Sequence, residues 1–354
     1  MSSLLKSSKM QTQILKINQA KPQISMIKQA ARLIRKGKVV AFPTETVYGL
    51  GADALNPSAV KKIFEAKGRP ADNPLIIHIH DKEDLKRLAR DIPKITEKII
   101  EKFWPGPLTI VLKKSKIVPK ITTGGLDTVA IRMPKNKIAN LLIKESGVPL
   151  AAPSANFFGR PSPTLAKHVS EDLSGRINMI LDGGKTKIGI ESTVIDLTRK
   201  TPMLLRPGGI TLEQIQGLVG AIKVHPMIKG KKSKMIHRSP GMKYKHYSPN
   251  AKVILIEGSP QNVDKKILHL VNKFKKQQKR VGIMSTQKNH INKTDMTRFV
   301  GNSPDKIAAN LFKVFREFDA GKIDIILAHG ISKKGLGLGV MNRLGKAAHK
   351  KIKV

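Results

Sequence analysis

From residue 24 onward the sequence alternates short apolar runs with segments whose apolar residues recur at helical spacing. This alternation restricts the fold more than any other feature. Ile27, Ala30, Ala31 and Ile34 share one face of a helix, which Ser25 is placed to N-cap and Gly37 to close. The run Val39-Val40-Ala41-Phe42 follows as a buried strand. Asn56-Pro57 marks a second helix with proline in its first turn, and Gly68 marks its end. Leu75 to Ile79 is again a strand. The pattern continues with helical spacing over 82–103, strands near 108–113 and 128–132, a helix at 137–146 and a strand at 149–152. Strand patterns at 13–17, 178–181, 192–197 and 203–205 complete this part, and a helix starts after Thr211. Strands that alternate with helices imply an α/β fold, and the late cluster of strands implies that the sheet is mixed.

A second feature divides the chain. No acidic residue lies between Glu213 and Glu257, and this interval carries eight lysines and arginines from Lys223 to Lys245 together with Pro226, Gly230, Pro240, Gly241 and Pro249. It reads as a linker. The expected organisation is a catalytic domain over 12–218, a basic linker over 219–250 and a second domain over 251–354, within reach of a 354-residue chain at about 100–200 residues per domain. The second domain opens on Val253-Ile254-Leu255-Ile256. Further strands near 280–284 and 323–328 and helices near 260–275, 303–319 and 337–348 give the pattern of a short parallel sheet.

Charge and composition remove several function classes. Sixty-six lysines and arginines against 25 acids give a formal charge of +41, a field that attracts nucleotides, nucleic acid and acidic surfaces. The lysines are spread along the whole chain, so a general lysine bias is an equal account of the excess. The absence of cysteine excludes disulfides, thiolate catalysis and cysteine-ligated metal, and fits a cytoplasmic protein. No apolar run reaches the roughly 18 residues of a membrane span. Residues 1–9 are rich in Ser and Lys and read as a frayed start rather than a targeting signal.

The candidate chemistry clusters at strand ends. Thr44, Thr46, Gly49 and Gly51 follow the strand that ends at Phe42, where open α/β sheets tend to bind ligands. Lys67-Gly68-Arg69 follows a helix end, and Pro70 and Pro74 stiffen the loop. Arg69 offers a planar fork to phosphate and Lys67 a point charge, although cations there also complement the helix dipole. Arg132 ends an apolar strand, an expensive place for a cation that meets no anion. Ser154 and Asn156 follow another strand end, and Glu191-Ser192-Thr193 and Arg206-Pro207-Gly208 close the set. Each alone is compatible with turn chemistry, and His78, on a strand, with a structural histidine.

Other mechanisms lack their signatures. Gly184-Lys185-Thr186 ends like a P-loop, but Met179 stands where the first glycine belongs. Gly335-Leu336-Gly337-Leu338-Gly339 has the wrong spacing for a dinucleotide fingerprint. There is no G-x-S-x-G elbow, and the histidines show no metal-ligand spacing. A site rich in Arg, Lys, Ser and Thr and poor in nucleophiles points to positioning and charge stabilisation.

In combination these elements resemble the YrdC-like family. F-P-T-E-T-V-Y-G-L-G at 42–51, K-G-R-P-A-D-N-P-L-I-I-H at 67–78, T-V-A-I-R-M-P at 128–134, A-P-S-A-N at 152–156, E-S-T-V-I-D at 191–196 and R-P-G at 206–208 carry the likeness. S-P-G-M-K-Y-K-H-Y-S-P at 239–249 and G-L-G-L-G-V-M-N-R-L at 335–344 are similar to the long, two-domain threonylcarbamoyl-AMP synthases. The resemblance implies a YrdC-like twisted mixed sheet with flanking helices and a smaller Rossmann-like α/β C-terminal domain. It implies an enzyme that makes threonylcarbamoyl-AMP and pyrophosphate from L-threonine, bicarbonate and ATP, with Mg2+ carried by the nucleotide. The product would serve downstream threonylcarbamoyl-transferase enzymes that modify tRNA beside the anticodon, with direct tRNA contact open. Carried over by motif, Thr46, His78, Arg132, Ala152 and Ser192 would line a threonine pocket. Lys67, Arg69, Asn73, Thr128, Ser154, Asn156, Ser162, Arg206 and Tyr247 would hold ATP, with Lys67 and Arg69 stabilising charge and Tyr247 reaching over from the linker. No residue is expected to act as general base, and no side chain to ligate metal.

Two rival readings have discriminating features. A non-catalytic module that binds double-stranded RNA or tRNA would use the charge, but an aromatic content of 4% leaves few stacking platforms for single strands. A carbamoyl transferase of the hydrogenase-maturation type shares the YrdC-like domain but carries cysteine zinc fingers, and this chain has no cysteine.

Overall fold

The computed structural model describes residues 10–231, 235, 238, 239, 244, 246–287 and 294–354. The proposed N-terminal fraying, at 1–9, and much of the linker motif, at 240–243 and 245, lie outside the described residues.

The first part runs β1 (Gln13–Lys16), α1 (Ile24–Arg35), β2 (Val40–Pro43), β3 (Tyr48–Asp53), α2 (Pro57–Lys67), β4 (Ile76–His78), α3 (Asp84–Leu88), β5 (Ala89–Arg90) and α4 (Ile95–Phe103). It continues with β6 (Leu108–Lys114), β7 (Thr128–Arg132), α5 (Lys137–Ser146), β8 (Leu150–Ala151), α6 (Ala166–Leu173), β9 (Met179–Asp182), β10 (Thr193–Asp196), β11 (Met203–Arg206), α7 (Leu212–Val219) and β12 (Lys223–Val224). These strands form one mixed sheet in the order β1-β9-β2-β3-β8-β4-β7-β6-β10-β11-β12, with β5 on β6. The second part is β13 (Lys252–Glu257), α8 (Pro260–Lys276), β14 (Val281–Ser285), β15 (Met296–Phe299), α9 (Pro304–Ala320), β16 (Ile325–His329), α10 (Gly337–Ala347) and β17 (Ala348–Lys353). Its sheet, ordered β15-β14-β16-β13-β17, is parallel throughout.

Local chemistry explains the boundaries. Asn56 accepts hydrogen bonds from the backbone N–H groups of Ser58 and Ala59, Pro57 opens α2, and Gly68 ends it in the left-handed region at φ 60°. Asn136 caps α5 in the same way, and Thr211 and Gln214 form a capping box on α7. The predicted apolar face of α1 is buried.

Four expectations are corrected. Ser25 is not the N-cap of α1; Gln23 holds that position without a side-chain bond. The Gly49 and Gly51 stretch is not a loop but part of β3, which returns antiparallel to β2. Glycine is needed there, because a Cβ on Gly51 would sit 2.7 Å from the Phe42 ring. The helical pattern over 82–103 is two short helices broken by β5. Part of the linker is ordered into the first sheet, as Lys223–Val224 pairs parallel with β11. α6, β15 and β17 carried no signal that was read.

The two parts share a core. Val47 and Ile190 from the first and Tyr247 from the linker pack in one cluster with Phe312, Phe315, Val340 and Leu344 from the second. Gly189, at φ +82°, lies so close to α9 that a Cβ would meet the Ala308 carbonyl oxygen at 2.3 Å. Buried ion pairs cross the same boundary, Arg316 to Asp172 at 2.7 Å and Arg343 to Glu191 at 2.9 Å.

Candidate active site

Sheet register assembles the site. His78 on β4 is directly opposite Arg132 on β7, and Arg132 is opposite Thr109 on β6. Thr109 and Ser192, just before β10, are joined by their hydroxyls at 2.7 Å. Arg206 ends β11 beside them and donates to the Ser192 hydroxyl and carbonyl, both at 3.0 Å. Opposite this row is the β2–β3 turn. The Thr44 hydroxyl accepts from the backbone N–H groups of Thr46 and Val47 and donates to the Val47 carbonyl, which fixes the reversal.

One tight cavity of about 50 Å3 lies between these elements. Thr46, Arg69, His78, Arg132, Ala152, Ser154, Ser192, Arg206 and Tyr247 line it, so nine sequence-predicted residues converge. Lys67, Asn73, Thr128, Asn156 and Ser162 are buried but do not line it. Lys67 lies beneath the wall: its ammonium donates to the carbonyls of Ser154 and of Asn156, the latter at 2.6 Å. The Asn156 side chain donates to the carbonyls of Phe157 and Arg160. Asn73 offers its carbonyl to Arg69 at 3.2 Å. Thr128 is at the opposite end of β7 from Arg132. Ser162 donates to the Glu191 carboxylate.

At one end of the cavity Arg132 donates to Gly106 O at 3.2 Å and to the Thr46 hydroxyl at 2.9 Å, and its guanidinium meets Glu45 at 2.7 Å. Glu45 is the anion that the burial of Arg132 requires, and the Glu45 carboxylate oxygens accept no hydrogen bond of good geometry. His78 contacts Ile76 O through Nδ1, and burial and then the Arg132 charge lower its pKa to about 3, so the ring is neutral. At the other end Arg69 is clamped by the carbonyls of Asn73 and Pro74, and burial lowers its pKa to about 10. Burial and the Arg69 charge also hold Lys67 well below the usual lysine range.

Tyr247 closes this end. Its ring stacks on Phe312 at 5.4 Å, and the Arg343 guanidinium lies 5.7 Å from its centre. His246 packs edge-on against Phe158. Behind the wall, Arg343 is fully buried; it donates to Glu191 Oε2 at 2.9 Å, to Glu191 O at 3.2 Å and to Pro207 O. Burial pushes the Glu191 carboxyl up, but Arg343 and Arg206 together hold it below the usual range.

Sequence reasoning gave no role to Glu45, Glu191, His246 or Arg343. All four sit inside quoted motifs, which was the available signal; their partners are remote in sequence. Three arginines around one cavity, a neutral histidine, several hydroxyls and no acid–base pair suit the binding of two anionic groups side by side. Among the described residues no group of His, Cys, Asp or Glu forms a metal site, and no described helix is long and apolar enough to cross a membrane.

Comparison with known proteins agrees with this geometry. Residues 32–208 match the Sua5/YciO/YrdC family, described as telomere recombination, and residues 210–349 match the threonylcarbamoyl-AMP synthase C-terminal domain. The threonylcarbamoyl-AMP synthase of Pyrococcus abyssi is 55% identical over 92% of this chain and 95% of its own length. That of Bacillus subtilis is 49% identical over 92% and 93%. The crystal structure of P. abyssi Sua5 complexed with L-threonine superposes with a TM-score of 0.93 at 53% identity, over 97% of this chain and all of that one. The chain therefore belongs to the Sua5/YciO/YrdC family, in its two-domain form with the threonylcarbamoyl-AMP synthase C-terminal domain.

Proposed function

We propose that this protein is an L-threonylcarbamoyladenylate synthase. The observation that carries the reading is one cavity lined by Thr46 and by three arginines, Arg69, Arg132 and Arg206. The names of the relatives and the L-threonine complex of P. abyssi Sua5 support it. Arg132 pairs with the threonine carboxylate, with Thr46, the neutral His78, Ala152 and Ser192 around the amino acid. The amine captures carbon dioxide, supplied by bicarbonate, as a carbamate. A carbamate oxygen attacks the α-phosphorus of ATP, and the bond to the bridging oxygen breaks as pyrophosphate leaves. Arg69 and Arg206 offset the charge that moves onto the leaving group, acting in a water-poor site where such stabilisation is strong. Lys67 adds its charge from beneath the wall and braces the loop that bears Ser154 and Asn156. Tyr247 excludes the water that would hydrolyse the mixed anhydride.

Mg2+ carried by the nucleotide would offset phosphate charge, with no side-chain cluster among the described residues to hold it. The product passes to downstream threonylcarbamoyl-transferase enzymes in the cytoplasm for modification of tRNA, which the basic surface is suited to meet. Incubation with threonine, bicarbonate and ATP tests the reading: pyrophosphate should be released, and omission of threonine should abolish the release. Equal release with and without threonine would sink it.

A further inference from the structure

Thr109 lies on β6, an inner strand of the first sheet, opposite Arg132 of β7 on one side and Val194 of β10 on the other. It is fully buried and does not line the cavity. Its hydroxyl makes one hydrogen bond among the described residues, to the Ser192 hydroxyl at 2.7 Å, and either oxygen can be the donor. Ser192 does line the cavity, and its hydroxyl also accepts from Arg206 at 3.0 Å. Arg206 Nε donates to the Ser192 carbonyl, again at 3.0 Å, so the guanidinium grips the residue at two points.

The two hydroxyls carry two protons, and only one of them fits between the oxygens. If Ser192 donated, the Thr109 proton would be left in the core without an acceptor, and an unmet buried donor is costly. If Thr109 donates, the spare proton is that of Ser192, at the cavity wall. We propose that Thr109 is a positioning residue that sets the polarity of the proposed threonine pocket, on which reading this step rests: it donates to Ser192 and leaves the Ser192 hydroxyl as a donor to an acceptor oxygen of the amino acid. Two accepted bonds, one of them from a guanidinium, also polarise the Ser192 O–H and make it a stronger donor. A branched residue suits the task, because its restricted χ1 holds the hydroxyl in one direction on the strand.

Titration of the full chain with L-threonine in a calorimeter tests this. Thr109→Val keeps the side-chain shape and removes the hydroxyl. It should weaken threonine binding about three- to tenfold, the range for one neutral hydrogen bond, with an unchanged circular dichroism spectrum. Thr109→Ala, a second way to remove the hydroxyl, should lose at least as much, and Thr109→Ser should restore binding to within about twofold of the wild type. In a Ser192→Ala background, Thr109→Val should weaken binding no further, because the hydroxyl it acts through is gone. Unchanged or tighter binding by Thr109→Val alone would overturn the proposal, since donation in the other direction predicts that valine releases the Ser192 proton to the ligand. An equal loss in the Ser192→Ala background would also overturn it, by showing a general disturbance of the sheet. Failure of the wild type to bind threonine would remove the threonine reading of the cavity, and the proposal with it.

Discussion

The sharpest perturbation of this architecture is Arg343→Met. Methionine keeps the apolar stem but removes a fully buried guanidinium. The Glu191 carboxylate keeps the Ser162 hydroxyl and the nearby Arg206 charge but loses its ion-pair partner, and the carbonyls of Pro207 and Glu191 lose a donor. Breaking a buried ion pair from one side costs about 3–5 kcal/mol, and that loss is expected at pH 7. The pH dependence supplies a second check. The Glu191 carboxyl titrates below its usual value in the native state, so its contribution is present above the usual glutamate pKa of about 4.3 and is lost as pH falls through the native value. Without Arg343 the depression weakens, so the carboxyl protonates more readily than in the wild type. The gap between the wild type and Arg343→Met should therefore narrow as pH falls below about 4.3. Urea unfolding followed by the fluorescence of Trp104, the one tryptophan and a buried one, measures both effects. Glu191→Gln in the same background should recover about 2–3 kcal/mol relative to additivity. A cost below about 1 kcal/mol, or simple additivity of the two changes, would refute the claim that the pair holds the domains together.

Four further outcomes are expected. Arg132→Met should weaken threonine binding by about a hundredfold or more, since a buried charge pair is worth about 2–5 kcal/mol, while nucleotide binding in the same calorimeter is spared. Arg69→Ala should lower pyrophosphate release by about 10²–10³-fold with an unchanged circular dichroism spectrum; full activity would contradict its phosphate role. His78 is neutral in the fold, with its pKa lowered to about 3, so its contribution to stability is complete above about pH 6.5 and declines as pH falls towards the native value. His78→Gln should flatten that part of the stability profile. Gly51→Ala should cost about 1–3 kcal/mol through overpacking against Phe42 and lower the thermal midpoint.

What could be read in the sequence divides along physical lines. Helix ends were legible at Asn56, Gly68 and Thr211, because a capping side chain acts on backbone two or three residues away. β3 was missed because its first five residues are buried on both faces and include two glycines, so no polar alternation marks it. The convergence of Thr46, His78, Arg132, Ser192 and Arg206 was legible only through the motif order. The ion pairs that make it stable were not, since Glu191 and Arg343 are 152 residues apart and either alone reads as surface charge. Lys67 shows the limit from the other side. A cation at a helix end looks available for a ligand, yet its stem folds back and the ammonium meets two carbonyls of the loop beneath the wall.

The two ends of the cavity also differ in charge, and this bears on how the ligands are held. At the end proposed for threonine Glu45 faces Arg132, so the guanidinium is already matched and the carboxylate of a small zwitterion would bind beside, or in exchange with, an internal carboxylate. That favours a ligand that brings its own cationic amine over a simple anion. At the other end Glu191 is engaged by Arg343 and Ser162, and two guanidiniums, Arg69 and Arg206, line the cavity. That suits several phosphates better than one carboxylate. Tyr247 meets this second end and adopts φ 67°, a conformation that costs a non-glycine residue of order 1–3 kcal/mol. The Phe312 stack and the Arg343 guanidinium, both from the C-terminal domain, hold it there. The C-terminal domain therefore helps shape this end of the cavity from behind: Arg343 fixes Glu191, and Phe312 fixes the tyrosine.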